Sequence, residues 1–430
     1  MNILDMAKYA LDRLMKNGAD KAQCKINQSE TNELNVETGD LSLFRTTFNT
    51  AVDLLGLMNG RKGSTTINKT DPDSIAEGVR EVTLLSGSAK ADPANDIAGF
   101  QPPQAFTSGP MQQDLERMVE RLQEFLHYVQ QAYPKIILKA VRLSFTRTEG
   151  VFVNSNGVEF SSKNGFYDVS AEFSSKDGKD VSSFNYVGCQ CQDLNSRIQD
   201  LGGVDRLLRQ SSQQLHTGTI PHKFTGSLII TPECLSDFVS FLARYLSNHS
   251  MITGNSVYKD KLGQKIAAGR LTLHSKPIST DLAETYFFTD DGFEAKNSTI
   301  IEKGILKSFL INLYGANKTG RPKAENMGGC YIIEPGDVTL PEMIQATPQG
   351  ILLCRFSGGY PGDNGDFSGV AKNSYYIENG TIKYPTSETM VSGNIVQMLN
   401  NIDLISKERN NDGFECLPWI KFNGITISGK

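Results

Sequence analysis

Few histidines, one tryptophan and no long apolar run remove several functions from this sequence at the outset. It holds five histidines and a single tryptophan in 430 residues. Crossing a bilayer as a helix takes about 20 consecutive apolar residues, and no stretch approaches that length, so no membrane partner is expected. The N-terminal MNILDMAKYALDRLMKNGAD is an amphipathic pattern containing acidic residues, not a basic region followed by an apolar one. It predicts no secretion signal and a cytosolic protein. Positive charge is not in excess either: 43 Lys and Arg stand against 48 Asp and Glu, a formal net charge of −5. Nonspecific DNA affinity comes largely from Lys and Arg displacing counterions, so no nucleic-acid partner is expected. The one compact basic stretch, KTGRPK at 318–323, reads as a solvated turn.

Cysteines are too sparse for a disulfide framework. The seven (Cys24, Cys189, Cys191, Cys234, Cys330, Cys354 and Cys416) are odd in number and scattered, which fits a reducing compartment. A catalytic zinc needs three protein ligands converging on one point. Cys189-Gln190-Cys191 puts two thiols on one face of a strand, but the rest of a ligand set is missing. His216 and His222 sit at a spacing that suits no common ligand motif, and both groups read as structural or solvated. There is no Gly-x-Ser-x-Gly elbow, no P-loop and no dinucleotide fingerprint after a strand.

What is present describes a globular protein of two or three domains, with 39% hydrophobic and 21% charged residues. Ile3, Leu4, Ala7, Leu11 and Leu14 have helical spacing, and Gly18 stands at the C-terminal cap position. Four strand-like segments follow (21–28, 32–37, 41–48 and 51–60), separated by short polar turns, then a helix over 74–85. The Pro-rich stretch 91–110 is a linker or extended crossover, and a long helix runs from Met111 to Tyr133, ended by Pro134. Strands on either side of Asn154-Ser155-Asn156-Gly157 form a hairpin, and a helix over 204–215 closes this half. The expected domains are therefore 1–215, with sub-regions 1–90 and 111–215 joined by 91–110, and 222–430, with the boundary inside 216–226. From Ser227 onward come SLIITP, a helix over Pro232–Asn248, many short strands with Gly-rich turns, a small helix over 394–404 and a strand-like ITIS. The fold class is α+β. Its N-terminal half has helices packed on antiparallel sheets, and its C-terminal half is β-rich and barrel- or sandwich-like, with few helices.

Three blocks carry more specific information: EKGILKSFLINLYGANKTGRPKAENMGGCYIIEPGD (302–337), GGYPGDNGDFSG (358–369) and YIENGTIKYP (376–385). Together with GNSVYKDKLGQKIAAGRLTLHSKP (254–277), ETGDLSLFR (37–45) and the terminal PWIKFNGITISGK, they resemble the TldD/PmbA family of predicted zinc peptidases, older name modulator of DNA gyrase. Catalytic members of that family carry His-Glu-x-x-x-His on a helix. Here the corresponding helix, PECLSDFVSFLARYLSN, holds no histidine, and none of the five histidines is followed by Glu. Leu235, Phe238, Leu242, Tyr245 and Leu246 form an apolar stripe on it instead. The family's third ligand is a Cys near the C-terminus. Cys416 lies in a broadly corresponding region, and the surrounding pattern differs, so packing is its expected role. No catalytic or metal residue is assigned, and zinc is expected only in a partner subunit.

The resemblance implies a PmbA-type subunit of a cytosolic metallopeptidase that trims, matures or degrades peptides. Such a subunit pairs as a homodimer or with a His-Glu-x-x-x-His-bearing subunit, and is active only with that metal-bearing partner. The Gly-rich segment alone reads as tight turns, while the family places it beside the substrate cleft. A glycine edge admits an extended or unfolded peptide as an added strand. The expected substrate-binding residues are Gly358, Gly359, Asp366 and Ser368, with Asp366 orienting a peptide N–H or capping a turn. The other reading is a non-proteolytic regulatory binding protein acting on gyrase or another partner.

Overall fold

The computed structural model describes residues 2–37, 39–220 and 222–429. Met1 and Thr38, Pro221 in the predicted inter-domain connection, and Lys430 of the terminal stretch lie outside the described residues. Helix α1 (Ile3–Lys16) starts where the Asn2 side chain accepts from the Asp5 amide at 2.8 Å, and Gly18 follows its end at φ 95°. The four predicted short strands prove to be two long ones, β1 (Lys21–Glu37) and β2 (Asp40–Met58). The polar residues expected in turns stay in register, Ser29 opposite Asn49 and Thr31 opposite Thr47. A strand only needs side chains to alternate between faces, and a polar run on an uncovered stretch does not break it.

Next come β3 (Arg61–Ile67), α2 (Pro72–Ser88, capped by Asp71), β4 (Gln104–Ser108) and α3 (Leu115–Ala132). The half is completed by β5 (Ile136–Asn154), β6 (Glu159–Asp177), β7 (Asp180–Val181), β8 (Asn185–Cys191) and α4 (Val204–Gln213). Strands run in the order β3-β2-β1-β5-β6-β4, with β7 and β8 also on β6. The Pro-rich stretch is an ordered crossover. It buries Ala94, Ile97 and Ala98, and its β4 pairs parallel with β6. Helices α1 and α2 cover Ile26, Val52, Leu54 and Val151 of the sheet, while α3 and α4 cover Leu34, Leu143 and Val169 further along.

The second half opens with β9 (Phe224–Ile230), α5 (Pro232–Leu246) and α6 (Asn248–Thr253). The single helix predicted to Asn248 is thus broken at Ser247, which leaves helical geometry with ψ 164°. Then follow β10 (Leu273–Ser275), β11 (Ser298–Glu302), β12 (Ile305–Leu306), α7 (Leu313–Thr319), β13 (Tyr331–Ile333) and α8 (Leu340–Gln345). After these come β14 (Gln349–Leu353), β15 (Arg355–Gly358), β16 (Asp366–Lys372), β17 (Ser374–Glu378), β18 (Thr381–Thr386) and β19 (Thr389–Asn394). The last elements are α9 (Ile395–Asn400), β20 (Ile402–Asn411) and β21 (Cys416–Ser428). The helix predicted over 394–404 therefore stops at Asn400, because Ile402, Leu404 and Ile405 pair with β21.

These strands form one mixed sheet, β12-β11-β10-β13-β21-β9-β14-β17-β18, with β19, β16 and β15 branching from β21. It bends around α5: Leu228 and Ile230 of β9, Phe422 of β21, Phe356 of β15 and Phe367 of β16 share one core with Leu235, Phe238 and Leu242. The basic stretch 318–323 is not a freely solvated turn. Lys318 pairs with Asp92 at 2.7 Å, Arg321 donates to the Lys259 carbonyl at 2.9 Å, and the Lys323 ammonium lies 4.1 Å from the Phe293 ring centroid. Asp92 is held down to about 2 by the Lys318 hydrogen bond, so this segment ties the first half's crossover to the second half.

Candidate functional site

Helix α5 sits at the centre of the second half. Pro232 pre-sets its first turn, and its apolar stripe turns Leu235, Phe238, Leu242, Tyr245 and Leu246 inward, as the spacing predicts. The opposite face carries Asp237, Ser240 and Arg244 towards solvent. Four carboxylates gather near the N-terminal part of that face: Asp237, Glu284, Asp412 and Glu415. Burial lifts Glu415 to about 7, opposed by a Ser236 hydrogen bond and reinforced by the charges of Asp412, Glu284 and Asp237. Asp412 and Glu284 are raised mainly by burial as well. Asp237 reaches solvent, yet partial desolvation also raises it, against the charge of Arg355.

The donors present do not fit a peptidase zinc. Helix α5 offers no imidazole, and among the described residues no group of three or more His, Cys, Asp or Glu side chains is arranged to hold a metal ion. Cys416 packs with Leu282, Cys330 and Ile332, and burial raises its thiol. A protonated thiol in apolar packing is a poor ligand and a poor nucleophile. Cys234 on α5 is raised well above its ordinary value by burial, and Cys189 and Cys191 are raised by burial too. All seven thiols are free. His274 stands between Thr299 and Glu334, 3.0 Å from each. That order mimics a hydroxyl–imidazole–acid relay, yet it is a cross-strand ladder, and none of the three lines the groove or chamber described below.

Gly358, Gly359, Asp366 and Ser368 all fall on the β15–β16 hairpin and the loop closing it. Gly358 opposes Gly369, and a Cβ on Gly358 would stand 2.6 Å from the Phe356 ring and 2.8 Å from the Ser368 carbonyl. Glycine is thus needed there for packing. At Gly359 a Cβ would meet nothing within 4 Å. Asp366 accepts from the Asn364 and Asn394 amides at 2.6 and 2.8 Å, so its carboxylate holds the turn. Ser368 is exposed in β16, which pairs with β15 on one side and β19 on the other. An added strand therefore has no edge on β16; β15, paired only with β16, offers one.

Two concavities meet beside this hairpin. A groove of about 580 Å³ runs along the solvent face of α5, between Ser240, Arg244 and Ser247 on one wall and Leu310, Met327, Tyr331 and Tyr360 on the other. Tyr360 comes from the Gly-rich loop itself. A chamber of about 400 Å³ between the halves shares Met327 with the groove. Its floor is two rows of residues in register across four strands: Ala51–Asn27–Gly150–Ser162 and Asn49–Ser29–Thr148–Asn164. All eight are uncharged. A Cβ at Gly150 would stand 2.9 Å from both the Asn27 side-chain oxygen Oδ1 and the Ser162 hydroxyl, so the floor is hollow because residue 150 is glycine. The Asn164 side-chain oxygen is buried without a protein partner. Tyr286, Phe287, Phe288 and Met327 form the roof, with Phe287 stacked on Phe106 at 4.8 Å.

Arg244, Tyr360, Met327 and the chamber floor were not singled out by sequence reasoning. Within a row the floor residues are up to 135 positions apart in the chain, Asn27 to Ser162, and only the strand register reveals the rows. Tyr360 alone had a local signal, as a large aromatic inside a glycine-rich loop.

Residues 225–429 match the family model of the PmbA/TldA metallopeptidase C-terminal domain. The chain is 24% identical over 444 residues to "Metalloprotease PmbA" of Escherichia coli O157:H7, covering 98% of this chain and 96% of that one. It is 28% identical over 204 residues to "Zinc metalloprotease TldD homolog" of Saccharolobus solfataricus, a match covering 44% of this chain and only 46% of that relative. TldE from Thermococcus kodakarensis shares the fold with a TM-score of 0.84 at 18% identity, over 99% of this chain and 100% of that one. A protein assigned as a modulator of DNA gyrase from Bacteroides thetaiotaomicron VPI-5482 shares it with a TM-score of 0.85 at 22% identity, over 99% and 98%. Residues 225–429 thus carry the PmbA/TldA metallopeptidase C-terminal domain, and the chain as a whole is similar in sequence to a PmbA metalloprotease and in fold to TldE.

Proposed function

We propose that the protein is a peptide-binding subunit of a cytosolic TldD/PmbA-type metallopeptidase, without a catalytic zinc of its own. The observation that carries this reading is the face of α5: where catalytic relatives are expected to present imidazoles, this helix presents Asp237, Ser240 and Arg244 beside an open groove. Peptide hydrolysis would then belong to an assembly with a metal-bearing subunit. Extended, unfolded peptide is the substrate class that suits a chamber floored by uncharged amides and hydroxyls, its one lining cation, Lys25, being paired with Asp290, because such groups pair with main-chain amides without demanding a particular side chain. Free thiols throughout suit the cytosol. Pairing with a second subunit is supported by Phe44 and Phe48. They are 50% and 72% exposed on the face of β2 that α1 and α2 cover elsewhere.

The test is binding of a labelled unfolded peptide to the wild type and to Gly359→Val, with a DNA duplex as competitor. The new side chain enters open space, so folding is expected to be kept while peptide binding weakens. Normal binding by the variant, with displacement by DNA, would favour the regulatory reading instead.

A further inference from the structure

The groove on α5 contains a cation with no assigned work. Among the described residues Arg244 has no ion pair and its guanidinium makes no hydrogen bond, while its own carbonyl accepts from the Ser247 and Ser250 hydroxyls. Its guanidinium instead lies 5.0 Å from the centroid of the Tyr360 ring. Tyr360 packs edge-on against Phe241 at 5.6 Å, and its loop is pinned where the Tyr245 hydroxyl donates to the Gly362 carbonyl at 2.5 Å. The guanidinium is therefore supported from beneath with its planar fork of donors unused. Ser240 stands one helical turn before it on the same wall. No carboxylate lines the groove: Asp366 is engaged by Asn364 and Asn394, and Asp363 is on the loop outside the lining. An unpaired guanidinium beside a hydroxyl matches the planar, two-oxygen geometry of a carboxylate.

We propose that Arg244, with Ser240, is the anchor for the C-terminal carboxylate of the bound peptide. Tyr360 and Tyr331 flank the last side chain, and the preceding residues cross Met327 into the chamber. The inference rests on the peptide-binding reading and deepens it by giving the peptide a direction and an end. A terminal carboxylate satisfies the guanidinium where the groove begins, and Met327 borders both spaces, so one extended chain occupies both.

The experiment compares one labelled unfolded peptide in three forms: free C-terminus, C-terminal amide, and amide with a Glu near its end. Each is titrated against wild type, Arg244→Gln and Arg244→Lys, with circular dichroism to verify folding. The wild type is expected to bind the free acid on the order of tenfold tighter than the amide. Arg244→Gln should erase that difference by weakening only the free acid, and Arg244→Lys should keep part of it. Equal binding of acid and amide by the wild type, or a difference that survives Arg244→Gln, overturns the anchor while leaving peptide binding intact. If the Glu-bearing amide binds like the free acid, the carboxylate recognised is a side chain's, and the terminal assignment is wrong. If no form binds, the peptide-binding reading itself fails and the anchor falls with it.

Discussion

Replacing Phe238 by Ala tests whether α5 is the post around which the second half is built. Phe238 is 4% exposed. Its ring centroid lies 5.4 Å from that of Phe241, 5.5 Å from Phe356 and 5.6 Å from Phe367. Truncating a buried Phe to Ala costs about 3–5 kcal/mol, because transfer energy is lost and the cavity relaxes only in part. Three aromatic partners put the expected loss in the upper part of that range. For a half of this size, a urea m-value of about 2–3 kcal/mol/M converts the loss into a midpoint shift of about 1.3–2.5 M. The sole tryptophan, Trp419, is buried in β21, so its fluorescence reports on this sheet and on its contact with Arg206 of α4. Phe238→Leu should cost roughly 1 kcal/mol, and Ser240→Ala, on the solvent face, under about 0.5 kcal/mol. A Phe238→Ala midpoint as close to wild type as that of Ser240→Ala would refute the reasoning.

The Glu415 carboxyl gives a pH prediction with a definite sign. Its folded value of about 7 stands above the ordinary 4.5, so the stability it contributes is full below about 4.5 and is lost as pH rises through about 7. Glu415→Gln should flatten that slope and gain about 1–3 kcal/mol at pH 8, read from Trp419 urea midpoints at pH 5 and 8; an unchanged slope contradicts it. In solution, light scattering at micromolar concentration should give twice the 47.3 kDa chain mass, and Phe48→Ser should weaken the dimer. A monomer mass for the wild type counts against the exposed β2 face as an interface.

Elements with strong local periodicity were legible in the sequence. The stripe of α5, Gly18 just past the end of α1 and the hairpin at Asn154–Gly157 depend on neighbours in the chain. The merging of four strands into β1 and β2 was not, because Ser29–Thr31 looks like a turn until a partner strand fills its hydrogen bonds. Nor did composition tell that KTGRPK is held by Asp92, Lys259 and Phe293, since those contacts span long sequence separations. At the site, the Gly-rich loop was visible, but which of its residues bind was not. The structure gives Asp366 to the turn and Gly358 to packing against Phe356. Tyr360 and Arg244 become a pair only because α5 and the loop pack together.

The most direct test of the central claim is to incubate the purified protein with a labelled unfolded peptide, with and without a zinc chelator. Binding is read by anisotropy and peptide integrity by mass spectrometry. The account predicts saturable binding that the chelator does not change, with the peptide left intact and no stoichiometric zinc by elemental analysis. About one bound zinc per chain, with peptide cleavage that the chelator abolishes, would contradict it.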